Sequence, residues 1–448
     1  MPIAPARAAA FDILLRVDQQ GSYASELLHS GRLESLSHAD RALTTDLVMG
    51  VLRWRSQLDE AIAAASSRPL AKLDPEVLTA LRLAAYQLQH LTRVPAHAAI
   101  NDSVELMKRA HKRSAAPFGN AVLRKIAAAK IEQPSESPDW TAALLSAEFA
   151  HPQWLVERWV AEYGIERAHL ICRHDLQIPN VAIRIEDPAA EKELEAEGVK
   201  LDRGALLASA RIVTGGDITR TRAFQEGRVF ILDEASQLVA ALVGTGSRLL
   251  DCCAAPGGKT QALAARNPSA EIIAAELHPH RVELLRKRVH AANVQVIQAD
   301  ALTLPIAGGF DRVLADVPCS GTGTLARNPE IKWRLKPDDL DDLYRRQVAI
   351  LRAALRQLAP GGRALYSTCS LEREENEAVI EEVLRDSSEF EQRDCREELE
   401  RLRSAGELVW SDLDSLLSGK FLRTIPGMQP CDGFFAAMVE KRGLAVGD

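Results

Sequence analysis

Two cysteines stand fifty positions apart in similar small, polar surroundings, Asp316-Val317-Pro318-Cys319-Ser320-Gly321 and Ser367-Thr368-Cys369-Ser370. A thiol at a polar turn after a strand is a candidate nucleophile, because reactivity belongs to the accessible thiolate. Upstream lies Leu249-Leu250-Asp251-Cys252-Cys253-Ala254-Ala255-Pro256-Gly257-Gly258-Lys259-Thr260, a glycine-rich segment between an apolar strand and a helix. Such a turn seats a cofactor. Two thiols after successive strands of one sheet can converge over the same bound substrate. Cys172, Cys395 and Cys431 lack such neighbours and read as small buried residues. Cys252 and Cys253 read as lining of the turn.

The turn excludes two common nucleotide sites. A phosphate loop of the form GxxxxGK[ST], aligned on Gly258-Lys259-Thr260, needs glycine at 253, where Cys253 stands. The dinucleotide pattern GxGxxG is also missing. What remains is a small-residue turn that lets backbone approach a ligand closely, through Gly257 and Gly258. Acids follow the next two predicted strands, Glu276 and Asp300. Either alone reads as an ordinary surface acid; together, behind the turn, they read as ligand acceptors.

These three segments together resemble the RNA cytosine-5 methyltransferases that use S-adenosylmethionine. The resemblance implies cofactor contacts from the turn (Cys253, Ala254, Ala255, Pro256, Gly257, Gly258, Lys259) and from Glu276, Asp300 and Asp316. Glu276 would take the ribose hydroxyls, and departs from the Asp more usual there. One added methylene moves its carboxylate by about 1.5 Å. Asp300 would lie near the adenine amino group. The resemblance makes Cys369 the nucleophile towards carbon 6 of cytosine, with Cys319 assisting proton removal or product release. Asp316 would contact the pyrimidine or the methionine end of the cofactor. Spacing alone leaves the choice of attacking thiol open, since DNA cytosine-5 enzymes use a thiol in a Pro-Cys context. The role of Lys259 is also open, and Asn376 reads as a helix cap.

The elements that must hold these residues follow from pattern. Residues 1–132 show helical periodicity throughout (Ala8, Phe11, Leu14, Leu15; Leu43, Leu47, Val48, Val51, Leu52) and predict an all-helical bundle. Its Arg41–Arg53 and Phe118–Arg124 stretches resemble the NusB-like RNA-binding domain, which precedes the catalytic part in one bacterial subfamily acting on small-subunit ribosomal RNA. Residues 133–140 have linker composition. A small α+β subdomain is expected over 141–240, with a helix at 152–163 and a strand at 180–185. From 241 to 442, strands at 248–251, 271–275, 295–299, 310–315 and 363–367 alternate with helices at 261–266, 280–292 and 340–358. That alternation predicts an α/β, doubly wound, Rossmann-type parallel sheet. Gly433–Val439 is expected as a final edge strand.

Bulk properties set the remaining limits. At 448 residues the chain needs more than one domain. With 46% hydrophobic and 26% charged residues it is of globular composition. The first residues lack a signal-peptide layout, and no apolar run approaches the roughly 20 residues of a membrane helix. Seven cysteines without a CxxC pair or zinc-type spacing predict free thiols and no metal. A cytoplasmic monomer is expected. The net charge of −7 conceals a division: residues 1–135 hold 17 Lys+Arg against 13 Asp+Glu, whereas 371–414 hold 6 against 16. Basic clusters such as Lys108-Arg109 with Lys112-Arg113, Arg124-Lys125 and Arg286-Lys287-Arg288 can neutralise phosphates, though each singly reads as a solvated face. The resemblance implies small-subunit ribosomal RNA as the partner and S-adenosylmethionine as the cofactor. The competing expectations are a transfer-RNA cytosine-5 methyltransferase and a catalytically inactive, RNA-binding assembly factor.

Overall fold

The computed structural model describes residues 3–129, 139–385 and 387–443. Most of the predicted linker, 133–138, lies outside the described residues. The chain forms two compact units, Met1–Ile178 with Leu325–Leu335, and Pro179–Thr324 with Lys336–Asp448.

The first unit is helical. Pro5–Gln20 opens with proline in its first turn and stops at Gly21, which adopts φ +64°. Ser37 caps His38–Arg53 by accepting from the Asp40 amide. Pro75–His90 is buried along most of its length, between Val77 and Gln87. Gly50 is needed where His38–Arg53 meets this helix: a β-carbon there would stand 2.0 Å from the Tyr86 ring. Phe11, Leu14, Leu47, Val48, Leu52, Leu58, Leu81 and Leu106 belong to one core. The helices Ala142–Glu148, Gln153–Tyr163 and Ile165–Asp175 also belong to this unit, although their sequence suggested the α+β segment.

The eleven residues Leu325–Leu335 return to this helical unit and are held by buried polar contacts. The Glu330 carboxylate accepts from the Ala24 amide at 2.9 Å, and the Trp333 indole donates to the Leu52 carbonyl at 2.6 Å. Lys332 is fully buried, and its amine donates to the carbonyls of Arg53 (2.9 Å) and Ala150 (2.8 Å). Two hydrogens of a neutral amine satisfy both acceptors.

The second unit begins with an antiparallel sheet of β1 (Val181–Ile185), β2 (Lys200–Arg203), β3 (Ala210–Gly215) and β4 (Val229–Ile231), ordered β2-β3-β1-β4. The larger sheet contains β5 (Arg248–Asp251), β6 (Glu271–Glu276), β7 (Val294–Gln298), β8 (Phe310–Asp316), β9 (Leu358–Thr368), β10 (Phe390–Arg393), β11 (Leu417–Ser418), β12 (Phe421–Thr424) and β13 (Phe434–Lys441). Its order is β11-β12-β13-β9-β8-β5-β6-β7, with β10 also paired to β13. Strands β5 to β9 run parallel, and β13 is antiparallel to β9. The doubly wound expectation holds, but β13 is interior rather than an edge. Its strand is apolar on both faces, and β12 and β10 cover its outer side.

Successive residues of the central strands enter different cores. Leu249, Ile272, Leu314, Leu365 and Ala436 pack with helix Glu234–Leu242. Leu250, Ile273, Val313, Tyr366 and Phe435 pack with helices Asp339–Arg356 and Glu377–Leu384. Burial on both faces is why these strands read as continuous apolar runs.

Lys332 gives the helical unit a pH signature. Burial pushes its amine down to about 7, with Asp175 opposing and Arg53 adding to the shift. An unfolded lysine titrates near 10.4, so between about pH 7 and 10 the unfolded chain binds the extra proton. Stability should therefore rise with pH across that window, by up to about 1.4 kcal/mol per unit. Lys332→Met should lower stability and flatten the rise. Fluorescence-monitored urea unfolding at several pH values would measure both, and an unchanged slope in the variant would remove Lys332 as its source.

Candidate functional site

The sequence-predicted residues gather at the carboxyl ends of β5 to β9, where a doubly wound sheet binds its ligands. Strand β5 lies between β6 and β8, so the chain leaves it towards one neighbour and returns on the other. The turn after β5 is built by backbone. The Cys252 amide donates to the Leu314 carbonyl and the Ala254 amide to that of Ala275, both at 2.9 Å. Gly257 adopts φ +107° and opens helix Gly258–Arg266. A β-carbon on Gly257 would meet Val289 at 2.9 Å, so both conformation and space call for glycine. The peptide bond between Ala255 and Pro256 is cis. Beneath the turn, Asp251 is buried and accepts from the Thr260 hydroxyl at 2.7 Å. Burial raises its pKa to about 7, with the Thr260 hydrogen bond opposing.

Glu276 and Asp300 follow neighbouring strands. Glu276 ends β6 and is 4% exposed; one carboxylate oxygen accepts from the His278 amide at 2.9 Å, and the other lies 3.7 Å from Arg281. Arg281 also donates to the Ala255 carbonyl at 3.1 Å, which ties the acid to the turn. Asp300 accepts from the Leu302 amide at 2.9 Å.

The register of β8 and β9 decides the rest. Asp316 stands opposite Ser367, and the Ser367 hydroxyl donates to its carboxylate at 2.7 Å. The other Asp316 oxygen lies 2.9 Å from the Lys259 ammonium, which also sits 4.7 Å from the centre of the Phe434 ring. Lys259 thus joins the turn to the thiol-bearing edge. Its burial works against its charge, but Asp316 outweighs that, and Cys369 and Asp251 add to it, so the ammonium is held above its usual pKa.

The Cys319 and Cys369 sulfurs are 3.3 Å apart, and both residues are half-buried. The Cys319 thiol is pushed well up, first by its hydrogen bond with Cys369, then by burial and by the charges of Cys369 and Glu375. With Lys259 on the side of Cys369, the surroundings of the two sulfurs are electrostatically unequal, and either sulfur can donate to the other.

Several residues holding this pair carried no recognised signal. Glu375 lies in the acidic 371–414 segment, yet it is fully buried and accepts from the Ser320 amide at 2.8 Å and the Ser370 hydroxyl at 2.5 Å. Asn376 precedes helix Glu377–Leu384 but makes no side-chain cap. Instead it donates to the Ser370 carbonyl at 2.9 Å and accepts from the Thr368 hydroxyl at 2.6 Å, bracketing Cys369. The cap reading is therefore corrected. The available signal was the serine directly after each thiol, whose short hydroxyls need a shared acceptor when buried. Among the described residues, no group of three or more His, Cys, Asp or Glu could hold a metal ion. Nor is any helix among them long and apolar enough to cross a membrane.

Comparison with known proteins shows the family. Residues 242–440 match the family model described as 16S rRNA methyltransferase RsmB/F, and residues 4–128 match the NusB family. The chain is 34% identical over 453 residues to a probable ribosomal RNA small subunit methyltransferase B of Bacillus subtilis, covering 98% of this chain and 99% of that protein. The chain belongs to the RsmB/F methyltransferase family. Another relative, the ribosomal RNA small subunit methyltransferase B of Xanthomonas campestris, is 31% identical over 454 residues, covering 97% of each chain. A solved methyltransferase homolog from Pyrococcus horikoshii is 26% identical with TM-score 0.55, covering 67% of this chain and 98% of that one. For an RsmB/F methyltransferase, the carboxyl edge of β5 to β9 is where the fold concentrates its thiols and acids.

Thiol reactivity should follow the asymmetry. Under native conditions near neutral pH, iodoacetamide should label Cys369 faster than Cys319, and both before the buried Cys172 and Cys395. Peptide mapping by mass spectrometry reads the order. Equal labelling of all four would contradict the unequal pair.

Proposed function

We propose that this RsmB/F methyltransferase methylates carbon 5 of a cytidine in small-subunit ribosomal RNA, using S-adenosylmethionine and a transient cysteine–pyrimidine bond. The observation that carries the reading is the 3.3 Å approach of two half-buried thiols beside the Lys259–Asp316 pair. Full-length similarity to small-subunit ribosomal RNA methyltransferases supports the choice of RNA.

The donor set suits S-adenosylmethionine. Glu276 and Asp300 supply carboxylates at adjacent strand ends for hydroxyl and amino donors, and Cys253–Lys259 supplies a small-residue turn. When bound, this cofactor supplies an electrophilic methyl group. The protein's residues must make the carbon 5 position nucleophilic, because an unactivated cytosine ring does not accept a methyl group there. Cys369 is assigned the attack on carbon 6. Its sulfur forms a C–S bond, the 5,6 double bond opens, and the electron pair moves to carbon 5. That pair becomes the bond to the methyl group; when the carbon 5 proton is then removed, the C–H bonding pair re-forms the 5,6 double bond and the C–S bond breaks, its electrons leaving with the thiolate. Cys319 is assigned to this later stage, in proton removal or product release. Asp316, held by Lys259 and Ser367, is assigned to the pyrimidine or the methionine end of the cofactor.

The two thiols should give opposite trapping behaviour. With RNA and cofactor, Cys319→Ala should accumulate RNA covalently attached to protein on a denaturing gel. Cys369→Ala should bind RNA yet form no adduct. The reverse pattern would exchange the two roles.

Asp300→Ala should weaken S-adenosylmethionine binding by about 1.5–3 kcal/mol, the usual worth of one hydrogen bond to a charged acceptor. Calorimetry measures this, and unchanged affinity would take Asp300 out of the cofactor site.

A further inference from the structure

The two thiol-bearing turns share one buried carboxylate. One Glu375 oxygen accepts from the Ser320 amide and from the Gln347 side chain, both at 2.8 Å. The other accepts from the hydroxyls of Ser320 and Ser370, the latter at 2.5 Å. Four donors fill the four acceptor sites of a carboxylate. Ser320 directly follows Cys319, and Ser370 directly follows Cys369. The carboxylate thus grips each turn one residue beyond its sulfur.

Surrounding contacts fix the carboxylate in turn. The Gln347 amide also donates to the Pro318 carbonyl at 3.0 Å, so helix Asp339–Arg356 holds the start of the Cys319 turn. The Tyr366 hydroxyl donates to the Glu375 carbonyl at 2.6 Å. Glu375 and Gln347 are both 0% exposed. A buried carboxylate is costly unless its hydrogen bonds are satisfied, and here all are met by groups beside the two cysteines or packed behind them. A purely apolar filling of this space would leave the Ser320 amide without its acceptor and the two serine hydroxyls, 3.0 Å apart, with only each other and Thr322 as acceptors.

We propose that Glu375 is a positioning residue for the thiol pair: by tying the Cys319 turn to the Cys369 turn it sets the distance and direction from which the two sulfurs face a pyrimidine. This rests on the functional reading above. Glu375 acts through Ser320 and Ser370 and takes no part in bond making. A loose tie would let the sulfurs separate, and misplacement of a reacting group by about 1 Å costs up to roughly 10²-fold in rate.

The test uses the full chain and two independent readouts. The first is oxidation of the Cys319–Cys369 pair by diamide, which takes up the two electrons and two protons released as the S–S bond forms; peptide mapping follows its rate without RNA. The second is steady-state RNA methylation, with cofactor affinity by calorimetry as a control. Glu375→Ala should slow disulfide formation at least about tenfold and lower kcat by up to about 10²-fold, with KM for RNA and cofactor affinity little changed. Glu375→Gln keeps the shape, and the serine hydroxyls can turn to accept from its amide, so it should recover most of both rates. Ser370→Ala, which cuts the hold on the Cys369 turn alone, should slow disulfide formation as well and carries the test if Glu375→Ala does not fold. Wild-type rates of both reactions in Glu375→Ala, or in Ser370→Ala, would overturn the proposal. So would parallel loss of cofactor affinity and kcat in Glu375→Ala and Glu375→Gln, which would make Glu375 a general folding residue. Should the wild-type protein methylate no cytidine, the functional reading fails, while the disulfide rates still report on Glu375.

Discussion

The parallel register between β8 and β9 is the constraint on which the site depends. Pairing Asp316 with Ser367 sets the ends of the two strands level, so the turns that follow start side by side. Cys319 lies three residues past Asp316 and Cys369 two past Ser367, which brings their sulfurs to 3.3 Å. A slip of one residue would reverse the faces of an entire strand, burying Ser367 among apolar side chains and removing it from Asp316. Packing on both faces forbids that slip. Leu365 and Tyr366 enter different cores, and a slip would exchange them.

The same edge is made electrostatically uneven by neighbours from other elements. Lys259 comes from the turn after β5 and reaches Asp316 and the side of Cys369. Glu375 comes from the segment after β9 and accepts from both Ser320 and Ser370. Lys259 stands on the Cys369 side of the pair, and the Cys319 thiol is pushed up by its hydrogen bond with Cys369, by burial and by the charges of Cys369 and Glu375. Two residues of one type are thus given different surroundings.

Close packing shows how little freedom the thiol turns have. A β-carbon on Gly323 would stand 2.2 Å from the Gly433 carbonyl oxygen and 2.9 Å from that of Cys369. The Gly323 amide donates to the Cys369 carbonyl, and the Gly433 amide to that of Gly323, both at 2.8 Å. Strand β13 is thereby linked to both thiol turns. Its interior place in the sheet, between β9 and β12, is part of the site's support.

The strands β5 to β8, the helix after the glycine turn and the helical nature of the first unit were legible in the sequence, because each depends on local periodicity. Cys319, Cys369, Asp316, Glu276 and Asp300 were legible as candidates because each stands at the end of an apolar run. Sequence alone determined which strand ends carry the candidate thiols and acids. Tertiary structure decided which groups meet. Glu375 looked like one acid among many in a charged segment, and its burial depends on donors as far as 55 residues away. Asn376 looked like a cap until the thiol turn supplied partners that bind it instead. Lys332 carried no trace of its burial, since the carbonyls that receive it belong to Arg53 and Ala150. The reason is physical: periodicity records the face a residue presents within its own element, whereas a buried polar group is placed by partners remote in the chain.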